Sequence, residues 1–280
     1  MKLRAPFPWF GGKSAVASVV WQRFGDVRNY VEPFAGSLAV LLGRPHWPWE
    51  GNRIETVNDA DCFLANFWRA LQADPEGVAR HCDWPVNEAD LHARHLWLVN
   101  VAREHVERCR TEPEYFDSKI AGWWVWGCCQ WIGSGWCYHP ECQQLPHLGD
   151  AGRGELHDYL ALLASRLRGV RVCCGDWSRV CGPSPTVKQG LTGVFLDPPY
   201  TEAAGRKNSL YAKDDLSIGH AVCEWALEWG NDERMRIALC GYEGEYEMPD
   251  DWECVAWKTH GGYGLQGNGD TAGRENAEKE

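Results

Sequence analysis

Gly193-Val194-Phe195-Leu196-Asp197-Pro198-Pro199-Tyr200 joins a short apolar run to a stiff polar turn. Val194 to Leu196 read as a buried strand, so the four residues that follow lie at its carboxyl end, where open α/β sheets place ligands. Two consecutive prolines hold φ near about −65° and remove two backbone donors. The Asp197 carboxylate and the carbonyls of Asp197 and Pro198 therefore project as a rigid row of acceptors, with the flat face of Tyr200 beside it. Such an arrangement suits a planar ring bearing an exocyclic amine, held by stacking and by its two N–H groups. The same four residues also fit a plain proline-bounded turn.

The N-terminal part of the chain supplies further sheet units. Asn29-Tyr30-Val31-Glu32-Pro33-Phe34-Ala35-Gly36-Ser37, followed by Leu38-Ala39-Val40-Leu41-Leu42, reads as a strand, a small-residue turn and a helix, the first βα unit of a doubly wound sheet. A carboxylate at the strand end, Glu32, repels a phosphate-bearing ligand and suits one with an ammonium or sulfonium charge. Ile54-Glu55-Thr56-Val57 is a second strand ending at Asn58-Asp59-Ala60-Asp61. Asp59 stands about twenty residues past the glycine turn, where this architecture binds a ribose diol, while Asp61 is nearer the N-cap of a helix over Cys62 to Ala73. Phe63, Phe67 and Leu71 give that helix its buried face. Upstream, Pro6-Phe7-Pro8-Trp9-Phe10-Gly11-Gly12-Lys13-Ser14 reads as a stiff entry and a glycine turn before a helix to about Phe24, with Val16, Val19, Val20 and Phe24 inward. The turn lacks the full spacing of a phosphate loop and is not read as an NTPase site.

Between Asp74-Pro75 and Gly154 the βα alternation stops. Asn87-Glu88-Ala89-Asp90 starts a helix with Leu91, His95, Leu98, Ala102 and Val106 at helical spacing, and a second helix is expected over Pro113 to Gln130. This span, 75–154, is expected to be an inserted helical subdomain within a catalytic domain made of 1–74 and 155–265. Most of its tryptophans are expected in the core, with Trp136, after Gly133-Ser134-Gly135, a candidate to stack on bases or wedge a duplex. Cys128, Cys129, Cys137, His139, Cys142 and His147 raise the question of zinc, but no paired Cys-x-x-Cys knuckle is present and no metal is expected. The sheet pattern then resumes with a helix over Glu155 to Arg168, the strand Val170 to Cys174 and Gly175-Asp176-Trp177, again an acid and an aromatic at a strand end. After the Asp-Pro-Pro-Tyr turn come a polar stretch from Thr201 to Asp215, a helix around His220 to Trp229 and strands at Met235–Cys240 and Glu253–Trp257. A polar tail, 266–280, is expected to be disordered.

The 280 residues carry 17 Trp, 13 Cys and a net charge of −11, which argues against a generic nucleic-acid binder but not against an enzyme touching DNA through a local basic patch. The cysteine count is odd, no apolar segment reaches membrane length and no leader pattern opens the chain, so reduced thiols and a cytoplasmic location are expected.

Taken in order, Trp9-Phe10-Gly11-Gly12-Lys13, Val31-Glu32-Pro33-Phe34-Ala35-Gly36-Ser37, Asn58-Asp59, Gly175-Asp176-Trp177 and Asp197-Pro198-Pro199-Tyr200 resemble the Dam-type (D12 class) N6-adenine-specific DNA methyltransferases. The resemblance implies a Rossmann-like sheet with a target-recognition insertion, and S-adenosylmethionine (AdoMet) as methyl donor. It implies that Trp9, Lys13, Glu32, Phe34 and Gly36 surround the methionine portion, with Gly12, Ala35, Ser37 and Asp197 also in the cofactor site. Asp59 would hold the ribose, and Asp176 and Trp177 the cofactor adenine. Asp197, Pro198, Pro199 and Tyr200 would receive a flipped adenine of double-stranded DNA. Lys13, Arg94, Lys119, Arg206, Lys207 and Lys213 are the cations expected near phosphates, in a monomer or weak dimer. Where that family usually continues Gly-x-Gly, this chain has Leu38. A methyltransferase acting on RNA or a protein glutamine, or a binding protein without turnover, are the alternative readings.

Overall fold

In the computed structural model, described for residues 3–9, 11–48, 51–131, 135–137, 156–199 and 218–257, α1 (Ala17–Phe24) precedes β1 (Asn29–Glu32), α2 (Ala39–Leu42) and β2 (Ile54–Asp59). There follow α3 (Cys62–Ala73), α4 (Pro75–Cys82), α5 (Glu88–Thr111), α6 (Ser118–Cys128) and α7 (Leu156–Leu167). The chain then returns to strands with β3 (Arg171–Cys174) and β4 (Thr192–Leu196), and closes with α8 (Ile218–Trp229) and β5 (Met235–Leu239). Five strands form one sheet in the order β3-β2-β1-β4-β5. β1 pairs in parallel with β2 and with β4, and β4 pairs in parallel with β5. The order reverses between β1 and β4, the switch point at which doubly wound sheets leave a crevice outside the carboxyl ends. Val31 is level with Val194, so Glu32 and Asp197 end neighbouring strands.

The chain divides into two compact units, one of 1–5, 9–58 and 176–280, the other of 6–8 and 59–175. In the first, Val31, Val57, Val194 and Leu196 are all 0% exposed, as expected of parallel strands covered on both faces. Trp21 locks α1 to α2 by donating from Nε1 to the Val40 carbonyl at 2.7 Å, and its ring lies 4.9 Å from that of Tyr30. Gly193 makes room for this cluster, since a Cβ there would stand 2.7 Å from the Phe24 ring. The helix α1 begins at Ala17, and Trp21, rather than Val19, completes its buried face.

Leu38 departs from glycine in residue type but not in backbone. It adopts φ 54° and ψ 27°, the left-handed region, at the start of α2. That conformation costs a non-glycine residue about 1–2 kcal/mol. Its side chain is 0% exposed, and such burial contributes about 1.5–3 kcal/mol, enough to offset the strain.

In the second unit the helices follow their capping residues. Asp61 caps α3 by accepting from the Phe63 and Leu64 N–H groups, and Asn87 caps α5 by accepting from Asp90 N–H. The helix expected from Pro113 starts at Ser118, because Glu114 takes φ 60° and Asp117 caps the new start through Ile120 N–H. On α5 the buried face is Leu91, Arg94, His95, Leu98 and His105, so His105 replaces the expected Val106. Phe7 enters an aromatic core within 5.3 Å of Phe67 and 5.2 Å of Trp124. Trp136 also belongs to this core rather than to an exposed wedge: it is 7% exposed, lies against Gly127 and donates to the Trp124 carbonyl at 3.1 Å.

The expected strand over Glu253–Trp257 does not form. Residues 252–257 run instead as a strap in the first unit, with Trp252 against Gly230 after α8 and both carboxylate oxygens of Glu253 held by Arg23 of α1 at 3.1 and 2.5 Å. Those anchors draw the backbone onto helices, leaving Glu253 to Ala256 exposed.

Candidate active site

The switch point is lined by the turns that follow β1 and β4. After β1, the Ala35 N–H donates to the Asn58 carbonyl at 2.9 Å, and Asn58 Nδ2 donates to the Pro33 carbonyl at 3.0 Å. These bonds tie the Glu32–Ser37 turn to the end of β2. Gly36, at φ 45°, closes on Trp9 so tightly that a Cβ would stand 2.6 Å from the indole nitrogen. At Gly12 an added Cβ would stand 3.3 Å from the Trp9 carbonyl oxygen. Trp9, Gly12 and Gly36 thus lie together, and Ala35 and Ser37 are buried.

Glu32 dominates the electrostatics of this corner. It is 3% exposed, accepts from the Tyr30 hydroxyl at 2.9 Å and from the Leu41 backbone N–H, and has Asp197 and Glu55 as further negative neighbours. Burial pushes its carboxyl up to about 8, with Asp197 and Glu55 adding to the rise and the two hydrogen bonds opposing it. At neutral pH the group is mostly uncharged, a state that a cationic ligand would reverse. By contrast the neighbouring Glu55, 4% exposed, is paired with Arg44 at 3.0 Å.

Asp197 ends β4 with its side chain partly open, and Pro198 is buried. Lys13 reaches it: Nζ is 3.1 Å from Asp197 Oδ1 and donates to the Gly11 carbonyl at 2.8 Å. The ammonium also lies 5.3 Å from the ring centroid of Trp257, an aromatic that the strand reading of its segment obscured. Tyr200 is outside the described residues, as are Phe10, Arg206, Lys207, Lys213, His139, Cys142, His147 and the 266–280 tail.

Phe34 and Trp177 stack, with centroids 6.1 Å apart and planes at 29°. Asp176 is exposed and caps the short turn Trp177–Val180 by accepting from Ser178 N–H at 2.9 Å. Asp59 lies in the second unit, where its Oδ1 accepts from Asp61 N–H at 2.9 Å and its carbonyl accepts from Gly175 N–H at 2.9 Å. The cap of α3 falls to Asp61, the acid expected nearer the helix.

Residues 9–104 match the D12 class N6 adenine-specific DNA methyltransferases. The D12 match spans Trp9, Lys13, Glu32, Gly36 and Asp59 and ends before Asp176 and Asp197. No curated protein matches the chain. The name of the D12 family describes methyl transfer to the adenine N6 amine in DNA.

Arg94 and Lys119, two of the expected phosphate contacts, both lie against indoles. Arg94 is 7% exposed, with its guanidinium 4.2 Å from the ring centroid of Trp126, 5.0 Å from Trp123 and 5.4 Å from Trp84. Its burial is a correction to the reading as a surface cation, and follows from its place on the Leu91, His95, Leu98 face of α5. Lys119 sits over Trp97 at 4.6 Å and Trp123 at 4.4 Å.

Proposed function

We propose that this protein transfers a methyl group from AdoMet to the N6 amine of adenine in a specific double-stranded DNA sequence. The observation that carries the reading is the pairing, across the switch point, of a buried, largely neutral carboxyl at Glu32 with the Asp197-Pro198 acceptor row. AdoMet supplies an electrophilic methyl on a positively charged sulfur. Glu32 fits that group, because the carboxyl gains an ionised state only when a cation arrives to compensate it. The missing Cβ at Gly36 lets the Trp9 indole close directly on the turn that follows Glu32.

On the β4 side, the Asp197 carboxylate and the Pro198 carbonyl accept the two N–H groups of an adenine extruded from the duplex, whose ring rests on Tyr200. The N6 lone pair is ordinarily delocalised into the ring. Two acceptors placed for a tetrahedral nitrogen localise it and aim it along the line of displacement. Bound there, AdoMet would supply the methyl group and leave as a neutral thioether, and the proton shed by the methylated amine would pass by way of the Asp197 carboxylate to solvent. Asp59 would take the ribose and Asp176 and Trp177 the cofactor adenine, with Lys119 among the cations near phosphates. Among the described residues no helix is long and apolar enough to cross a membrane.

The Glu32 reading has a signature. A carboxyl held near 8 in the free protein must lose its proton to pair with a sulfonium, so AdoMet affinity should rise with pH between about 6 and 8, by up to tenfold per unit, and level off above. Folding stability should fall through the same window, since the unfolded chain gives up that proton at the usual carboxylate pH. Calorimetric titration of AdoMet across this range checks it. Glu32→Gln should flatten the profile; a flat profile in the wild-type protein would remove the argument.

A further inference from the structure

Lys13 is 5% exposed, a costly place for an ammonium unless it is well partnered. Three groups surround it: the Gly11 carbonyl at 2.8 Å, Asp197 Oδ1 at 3.1 Å and the face of Trp257 with its centroid at 5.3 Å. Trp257 is brought there by the strap, which Arg23 clips through Glu253 and Trp252 pins on Gly230. The indole face adds a cation–π contact, of a kind that strengthens where water is excluded. Oδ1 of Asp197 is thereby held against the ammonium.

We propose that Trp257 and Lys13 act as one positioning unit for Asp197, the indole fixing the ammonium and the ammonium fixing the carboxylate in the orientation that receives the target amine. This rests on the proposed function, and gives Lys13 a task distinct from enclosing the methionine portion of AdoMet. Trp257 touches neither the amine nor the donor. It acts through Lys13, some 240 residues away in sequence, and the strap makes the C-terminal part of the first unit a component of the reaction site.

A double-variant cycle tests the unit, with single-turnover methyl transfer from labelled AdoMet to unmethylated duplex DNA, each rate normalised to AdoMet-binding sites. Trp257→Ala should slow transfer about tenfold, with KM for AdoMet and for DNA changed less than about threefold. Trp257→Phe, which keeps an aromatic face, should recover the rate to within about threefold of wild type. Lys13→Met should slow it about a hundredfold, and the double variant should be no slower than Lys13→Met alone. Multiplicative losses in the double variant, an unaltered rate in Trp257→Ala, a Phe variant as slow as the Ala variant, or a loss confined to KM would each overturn the proposal. Wild-type transfer to another acceptor would refute the adenine reading while leaving the cycle decisive on that acceptor; no transfer to any acceptor would overturn both.

Discussion

Asp197→Ala is expected to lower the rate of methyl transfer by about a thousandfold or more, while AdoMet affinity changes little. The residue directly follows β4 beside the switch point, where the proposed reaction needs an acceptor for an amine whose lone pair is otherwise delocalised. Removing it takes away the stronger of the two proposed acceptors and also deprives the Lys13 ammonium, 5% exposed, of its carboxylate partner. Asp197→Asn keeps an oxygen acceptor but loses the charge and should fall between the two. Single-turnover kinetics and equilibrium binding on the same preparations separate the effects. An alanine variant within tenfold of wild type would show that the acceptor row does not carry the chemistry.

Glu55→Ala should destabilise the fold by about 3–5 kcal/mol, the usual cost of orphaning a buried partner. Glu55 and Arg44 are 4% and 8% exposed and meet at 3.0 Å. The guanidinium also donates to the Val27 carbonyl at 2.5 Å and lies 5.1 Å from the Trp21 ring centroid, contacts that hold it in its buried place once the carboxylate is gone. Urea unfolding followed by circular dichroism measures the loss. Arg44→Met combined with Glu55→Leu should recover much of it, because no charge is then left buried. A single-variant loss below about 1 kcal/mol would mean that water reaches the site.

The doubly wound sheet was legible because its strands are short apolar runs ended by acids or prolines. Val31-Glu32, Val57-Asn58-Asp59 and Leu196-Asp197-Pro198 each announce a carboxyl end. The helix starts at Asp61 and Asn87 were legible for the same kind of reason, a capping side chain ahead of a periodic pattern. What escaped were features decided by partners distant in sequence. Glu253 to Trp257 has the composition of a strand, but the Arg23 clip and the Gly230 contact hold it elsewhere. Arg94 stood on the Leu91–Leu98 face all along; its charge suggested the surface, whereas three indoles accept the guanidinium inside. The neutral state of Glu32 depends on burial, which no local pattern discloses.

The central claim is that the switch point delivers a methyl group to the adenine amine of duplex DNA. Its most direct measurement is nucleoside analysis by mass spectrometry of unmethylated duplex DNA incubated with the purified protein and isotopically labelled AdoMet. The account predicts labelled N6-methyladenine from the wild-type protein at a recurring sequence, and none from Asp197→Ala. Label on cytosine, or no labelled nucleoside at all, would contradict it.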